Sequence, residues 1–148
     1  MSIQDTVVGA SGAIPRNDFP RMEKFAEQFY ESVRNRKSDA TKISQNTGIS
    51  VADVENVRQH IFFNAYDLGG RQPRRFDPDY DQAQSWQRLC IGGKHIREMD
   101  IVFLKHEILE YDLMNKQGVC YDDAHATAEL RYNYKKYIDE LNLKEGVR

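Results

Sequence analysis

Residues 99–134 read MDIVFLKHEILEYDLMNKQGVCYDDAHATAELRYNY, and the reading of this stretch decides the fold. From Arg97 to about Asn115, Ile101, Leu104 and Ile108 mark one helical face, while Val102, Phe103, Leu109 and Leu113 nearly fill the rest. A helix that is apolar on most sides is packed on most sides, so this one is expected at the centre. Gly118 interrupts it, and Asp122 to Leu143 then reads as one further helix with Leu130, Tyr134, Tyr137, Ile138 and Leu141 on its apolar positions. Two helices joined by so short a turn lie antiparallel and side by side. His106 and Glu110 are one turn apart and share a face, and His125, near the start of the next helix, can point back at them. Nowhere else do titratable groups sit among so many apolar neighbours.

Upstream, four shorter helices follow from the same rules. Pro20 inside a first turn, with Asp18 ahead of it, starts a helix whose Met22, Phe25, Ala26, Phe29, Tyr30 and Val33 recur at helical spacing. Ser38 is placed to cap a second helix, Asp39 to Asn46, which Thr47-Gly48 closes. Ser50 followed by Asp53 resembles a capping box for a third, running to about Tyr66 with Val54, Val57 and Ile61 inward. Asp79 is placed to cap a fourth, carrying Tyr80, Ala83, Trp86, Leu89 and Cys90 and ending at Gly92-Gly93. There is no strand pattern and no repeat. The expected fold is all-α, a single-domain bundle of about six helices over residues 18–148, with residues 1–17 as a flexible tail or linker stub.

The second and third helices have the rhythm of a helix-turn-helix. The first turns of the second helix of that motif meet the bases, and here they carry Asp53 and Glu55, which phosphates repel. A structural corner is the expectation. Composition points the same way: the 148 residues carry a net charge of −2, with 40 % apolar and 30 % charged residues, so nucleic acid finds no global attraction. Two cysteines, Cys90 and Cys120, are too few for a disulfide framework, show no metal-binding spacing and read as buried thiols. No run is long enough to span a membrane and no signal peptide is visible. The expected location is cytoplasmic, or secretion as part of a larger protein.

His106-Glu107 with Glu110 reads HExxE. In HExxH metal sites the two histidines share a helical face and the glutamate beside the first acts as base. A carboxylate at the fourth position also binds metal, so His106, Glu110 and His125 can hold a divalent cation with Glu107 as base. Without a metal, Glu110 can raise the basicity of His125 for acid–base chemistry. In the third reading the histidines merely tie two helices together. Arg71, Arg74 and Arg75, in a Gly- and Pro-rich loop from Asp67 to Asp79, are candidates for holding an anionic substrate, and Tyr132 and Asn133 for contacting it.

The runs DPDYDQAQSWQRL, LKHEILEYDLM and YDDAHATAELRYNY resemble, across roughly Ala40 to Tyr134, a small α-helical module found at the C-terminal ends of polymorphic secreted toxins and in phage head-associated proteins. The resemblance implies an effector domain delivered into another cell, a hydrolase or nuclease with a cognate immunity protein. It also implies that His106, Glu107, Glu110 and His125 form the site, with nucleic acid as a candidate substrate. The chain carries neither HExxH nor an HNH-type motif. The rival expectation is a non-catalytic interaction module that works through the helix-turn-helix-like segment.

If the three arginines serve an anion rather than the fold, replacing Arg71, Arg74 and Arg75 together with Ala leaves the melting temperature nearly unchanged and weakens binding of an anionic ligand. A thermal melt and a phosphate titration check both halves, and a large loss of stability removes the ligand role.

Overall fold

The computed structural model describes residues 14–146, and all regular structure among them is helical apart from one isolated bridge. Seven α-helices follow in order: α1 Phe19–Asn35, α2 Asp39–Thr47, α3 Val51–Phe62, α4 Tyr80–Ile91, α5 Glu98–Asn115, α6 Tyr121–Arg131 and α7 Tyr134–Lys144. The all-α bundle expected from the sequence is what is seen, with one helix more. α5 is central and packs on α3, α4, α6 and α7, while α1 and α2 close the bundle over α3 and α4. No helix of the described residues is long and apolar enough to cross a membrane.

The core is continuous. Phe29, Tyr30 and Val33 of α1 meet Ile43 of α2, Val57 and Phe62 of α3, Trp86 and Leu89 of α4, and Phe103 and Leu104 of α5. The Phe62 ring stands edge-on to both Tyr30 and Trp86, with centroids at 4.6 and 5.1 Å. Offset and edge-on arrangements of this kind add to what burial of the rings already contributes.

Most helix ends fall where capping chemistry puts them. The Asp18, Ser50 and Asp79 side chains accept from the backbone N–H groups of Arg21, Asp53 and Gln82. Gly48 closes α2 at φ 79°, in the left-handed region. Gly92 ends α4 at φ 84°, and a Cβ there would meet the Asn46 side chain at 2.5 Å. That contact matters, because Asn46 Nδ2 donates to the carbonyls of Leu89 and Cys90 and so satisfies the end of α4.

Four expectations are corrected. The Ser38 side chain makes no capping bond to α2; Asp39 turns inward instead, and its carboxylate accepts from Trp86 Nε1 at 2.9 Å and Arg36 Nη2 at 2.8 Å. α3 stops at Phe62, not near Tyr66, because the N–H groups of Phe63 and Asn64 both turn back to the Gln59 carbonyl and Tyr66 pairs with Arg74 in an antiparallel bridge. The helix expected from Asp122 to Leu143 is two: the chain leaves helical geometry at Tyr132, with φ −133° and ψ 87°, and Asn133 caps α7 by accepting from Lys136 N. In consequence Leu130, expected on the apolar face, is 90 % exposed, while the Tyr134 hydroxyl reaches Ser85 and the Asp81 carbonyl. Cys120, expected buried, is exposed, and Cys90 is half-buried.

Arg16 was expected within the tail and is instead part of the packed structure. Arg16 is buried against α4 and α7, with its guanidinium on Asp81 at 2.7 Å and on Asn142 at 2.9 Å. Residues 1–13 of the expected tail lie outside the described residues.

Arg88 and Asp100 form a bidentate pair at 2.7 and 2.9 Å between α4 and α5, with the Asp100 side chain fully buried and also accepting from the Arg97 backbone. Removing one member strands the other charge in the interior. Asp100→Ala is therefore expected to cost about 3–5 kcal/mol in a denaturant melt, far more than loss of an exposed pair such as Lys135–Asp139.

Candidate active site

Three histidines from three helices converge on one carboxylate. α5 carries Glu110 on the same face as His106, α6 runs antiparallel to it and brings His125, and α3 crosses with His60 at its C-terminal end. His60 Nε2 lies 2.8 Å from Glu110 Oε1, and His106 Nε2 and His125 Nδ1 lie 3.2 and 3.0 Å from Glu110 Oε2. The other ring nitrogen of each histidine is held as well: His60 Nδ1 by the Tyr66 hydroxyl at 2.7 Å, His106 Nδ1 by the Tyr132 carbonyl at 3.1 Å, and His125 Nε2 by Glu129 at 3.2 Å. Orientation of ligating or catalytic imidazoles through the far nitrogen is the usual device for fixing both ring and tautomer.

The proton positions follow from counting donors. Tyr66 receives the amides of Asn64 and Asn115, each at 3.0 Å, so its lone pairs are taken and its O–H donates to His60 Nδ1. The His60 proton is then on Nε2 and is donated to Glu110. His106 donates from Nδ1 to the Tyr132 carbonyl, so its Nε2 meets Glu110 through a second proton or a cation. His125 stands between two carboxylates, and the hydrogen bond to Glu110 raises its pKa above the ordinary histidine value despite partial burial.

The two glutamates of α5 are driven apart. Burial opposes ionisation of Glu110, but hydrogen bonds from His106, His125 and His60 outweigh it and hold the carboxyl well below the usual carboxylate range. Glu107 is buried too, and burial followed by the charge of Glu110 pushes its pKa well up. Its oxygens lie 3.7 Å from His60 Nε2 and 3.6 Å from His106 Nε2, beyond hydrogen-bond reach. Neighbouring carboxyls with opposed shifts are a common arrangement for acid–base work. Glu107, Glu110 and His125 face a cavity of about 180 Å³ whose far wall is Phe76, Asp77 and Tyr121. A second cavity, of about 210 Å³, meets the first at Glu107 and His125 and reaches Glu129 and Tyr134.

Of the residues proposed from sequence, His106, Glu107, Glu110 and His125 are brought together. His106, Glu110 and His125 offer donor atoms close enough to hold a metal ion, and so do His60, Glu107 and Glu110. Arg71, Arg74 and Arg75 are exposed on the loop whose next residues, Phe76 and Asp77, line the cavity; Arg74 pairs with Asp77 and Arg75 donates to the Phe63 carbonyl. Tyr132 contributes its carbonyl to His106, while its ring lies under Arg131 and lines a separate surface depression. The Asn133 side chain is used as a helix cap.

Sequence reading missed His60, Tyr66 and Glu129. The signal for His60 was present: it falls three residues after Val57, on the inward stripe of α3, where a polar side chain needs a partner. Nothing local marked Tyr66, whose role depends on the loop folding back. No protein-family model matches the chain, and neither a curated protein nor a solved structure does.

The opposed shifts give opposite pH dependences in cation-free protein. The raised Glu107 contributes stability that is complete below the ordinary glutamate pKa and is lost as pH rises through its folded value; the depressed Glu110 contributes stability present above that ordinary value and lost on strong acidification. Glu107→Gln is thus expected to raise the melting temperature at pH 8 in the presence of chelator, with the gain vanishing below pH ~4. Melts at a series of pH values check the sign.

Proposed function

We propose that this domain is a hydrolase of the toxin-like effector class, acting on a phosphodiester of nucleic acid through the His/Glu cluster. The observation that carries the reading is the convergence of His106 and His125 on Glu110 beside the buried carboxyl of Glu107, at the wall of a cavity open to solvent. A site built only to tie helices together has no need of a half-exposed histidine held between two carboxylates, nor of an isolated buried acid next to a charged one.

The chemistry follows from what is and is not present. In the cation-free cluster the hydrogen bonds that hold Glu110 ionised also make it a weak base toward water. His106, Glu110 and His125 would hold a divalent cation, which would lower the pKa of a bound water toward neutrality and neutralise charge on the phosphoryl group. Glu129 and the Tyr132 carbonyl fix the two rings from behind. Arg71, Arg74 and Arg75 stand on the loop that forms one cavity wall, where they can draw in a polyanion. The acidic Asp77 and Glu129 around the two cavities also offer groups that an immunity protein can pair with.

The rival reading, an interaction module working through α2 and α3, has less to support it. The second half of α3 is turned into the core, with Arg58 bonded to the carbonyls of Val33 and Arg36 and His60 bonded to Glu110.

The test is His125→Ala. His125 is 42 % exposed, so its loss is expected to move the melting temperature by less than about 4 °C while abolishing hydrolysis of RNA or DNA and relieving growth inhibition on expression in a host cell. A variant that unfolds, or one that keeps full activity, contradicts the proposal.

A further inference from the structure

Within the cluster, the two oxygens of each α5 carboxylate are divided between different histidines. Glu110 Oε1 faces His60 and Glu110 Oε2 faces His106 and His125. Glu107 repeats the division, with Oε1 toward His60 and Oε2 toward His106. Two carboxylates one helical turn apart thus span the same gap, with one histidine on one side of it and two on the other. A carboxylate that only accepts hydrogen bonds has no reason to be matched in this way by a second that accepts none from either histidine.

The separations have a metrical meaning as well. Donor atoms about 2.0–2.1 Å from a metal are separated by roughly 3.0 Å at a right angle and roughly 3.4 Å at the tetrahedral angle. The histidine-to-carboxylate distances run 2.8, 3.0, 3.2, 3.6 and 3.7 Å. The longer two are too long for hydrogen bonds but near the edge length of a coordination polyhedron. Glu107 is 6 % exposed and borders the cavity, and at those distances it makes no hydrogen bond to either histidine, so its carboxyl is aimed at the cavity and the centre of the cluster.

We infer that the cluster is a two-cation centre bridged by Glu110. One divalent transition-metal ion takes His106 Nε2, His125 Nδ1 and Glu110 Oε2; the second takes His60 Nε2, Glu110 Oε1 and one oxygen of Glu107. Mixed imidazole and carboxylate donors suit zinc, iron or manganese better than magnesium or calcium, and carboxylate bridging sets the ions at the roughly 3.5–4 Å usual for such pairs. The His60 ion has three protein donors, so its remaining positions face the cavity, where water and one phosphoryl oxygen fit. Its substrate class rests on the hydrolytic reading above; its existence does not.

The second shell accommodates this with one local change. When His60 Nε2 binds a cation, its proton moves to Nδ1 and is donated to Tyr66. Tyr66 must then donate elsewhere. Asn115 is fixed by its second bond to the Tyr111 carbonyl, but the Asn64 amide can turn so that its oxygen accepts from Tyr66.

Metal analysis of the whole chain, after loading with Mn²⁺ or Zn²⁺ and removal of excess, tests the centre. Two ions per wild-type chain are expected, one in His60→Ala and one in Glu107→Gln; His95→Ala, on a histidine outside the cluster, keeps two. The Mn²⁺-loaded wild type should show the spectrum of an exchange-coupled pair, and His60→Ala the six lines of an isolated ion. One ion or none per wild-type chain overturns the inference, as does an undiminished count in a folded His60→Ala or Glu107→Gln. Glu107→Gln is isosteric and covers the case in which His60→Ala does not fold, and the wild-type count needs no variant. Two ions without hydrolysis would remove the proposed function and leave the centre standing; one ion with hydrolysis would do the reverse.

Discussion

A buried carboxylate with three imidazoles around it is the constraint on which the rest of this structure depends. Glu110 is 2 % exposed and charged, and a charge in that position persists only if its partners are delivered at hydrogen-bond distance. Each of α3, α5 and α6 delivers one. The crossing of α3 over α5 must put His60 opposite Glu110, and the α5–α6 turn must put His125 beside it. The loop after α3 must fold back far enough for Tyr66 to hold His60. Apolar packing permits many bundles of seven helices, whereas the demands of this one side chain select among them.

The polar contacts between helices follow the same economy. Arg58 covers carbonyls at the end of α1, Asn46 those at the end of α4, and Asp39 the indole of Trp86. Arg58 and Asp39 are buried and Asn46 lies at the surface, and each satisfies something a neighbouring helix leaves open. These bonds cross between elements, so they specify which helix end meets which neighbour in a way that Leu or Phe contacts do not.

How much of this was legible beforehand depended on range. Elements set by local chemistry were readable: Pro20 after Asp18, Ser50, Asp79 and Gly48 fixed helix ends, and the all-round apolar character of residues 98–115 identified the central helix. The clustering of His106, Glu107, Glu110 and His125 was readable because α5 and α6 are adjacent in sequence, so the pattern on one could be read against the other. His60 was not found, because a single histidine on an apolar stripe has no visible partner until α3 is laid across α5. Nor was the break at Tyr132 and Asn133 seen, since the apolar residues on either side keep helical spacing across it. What ends the helix is the pull of Asn133 as a cap and of His106 on the freed Tyr132 carbonyl, a contact with a residue far back in the chain.

The distribution of the histidines over three helices makes the site a property of the finished fold and of nothing smaller. α5 and α6 alone would present His106 and His125 to a carboxylate that is still open to water, and without α3 the burial that sets the two glutamates apart would be weaker. A chain that is partly translated or locally melted at α3 does not carry the assembled cluster. Closure of α3 onto α5 completes it, so a change anywhere along α3 reaches both carboxylates from a distance.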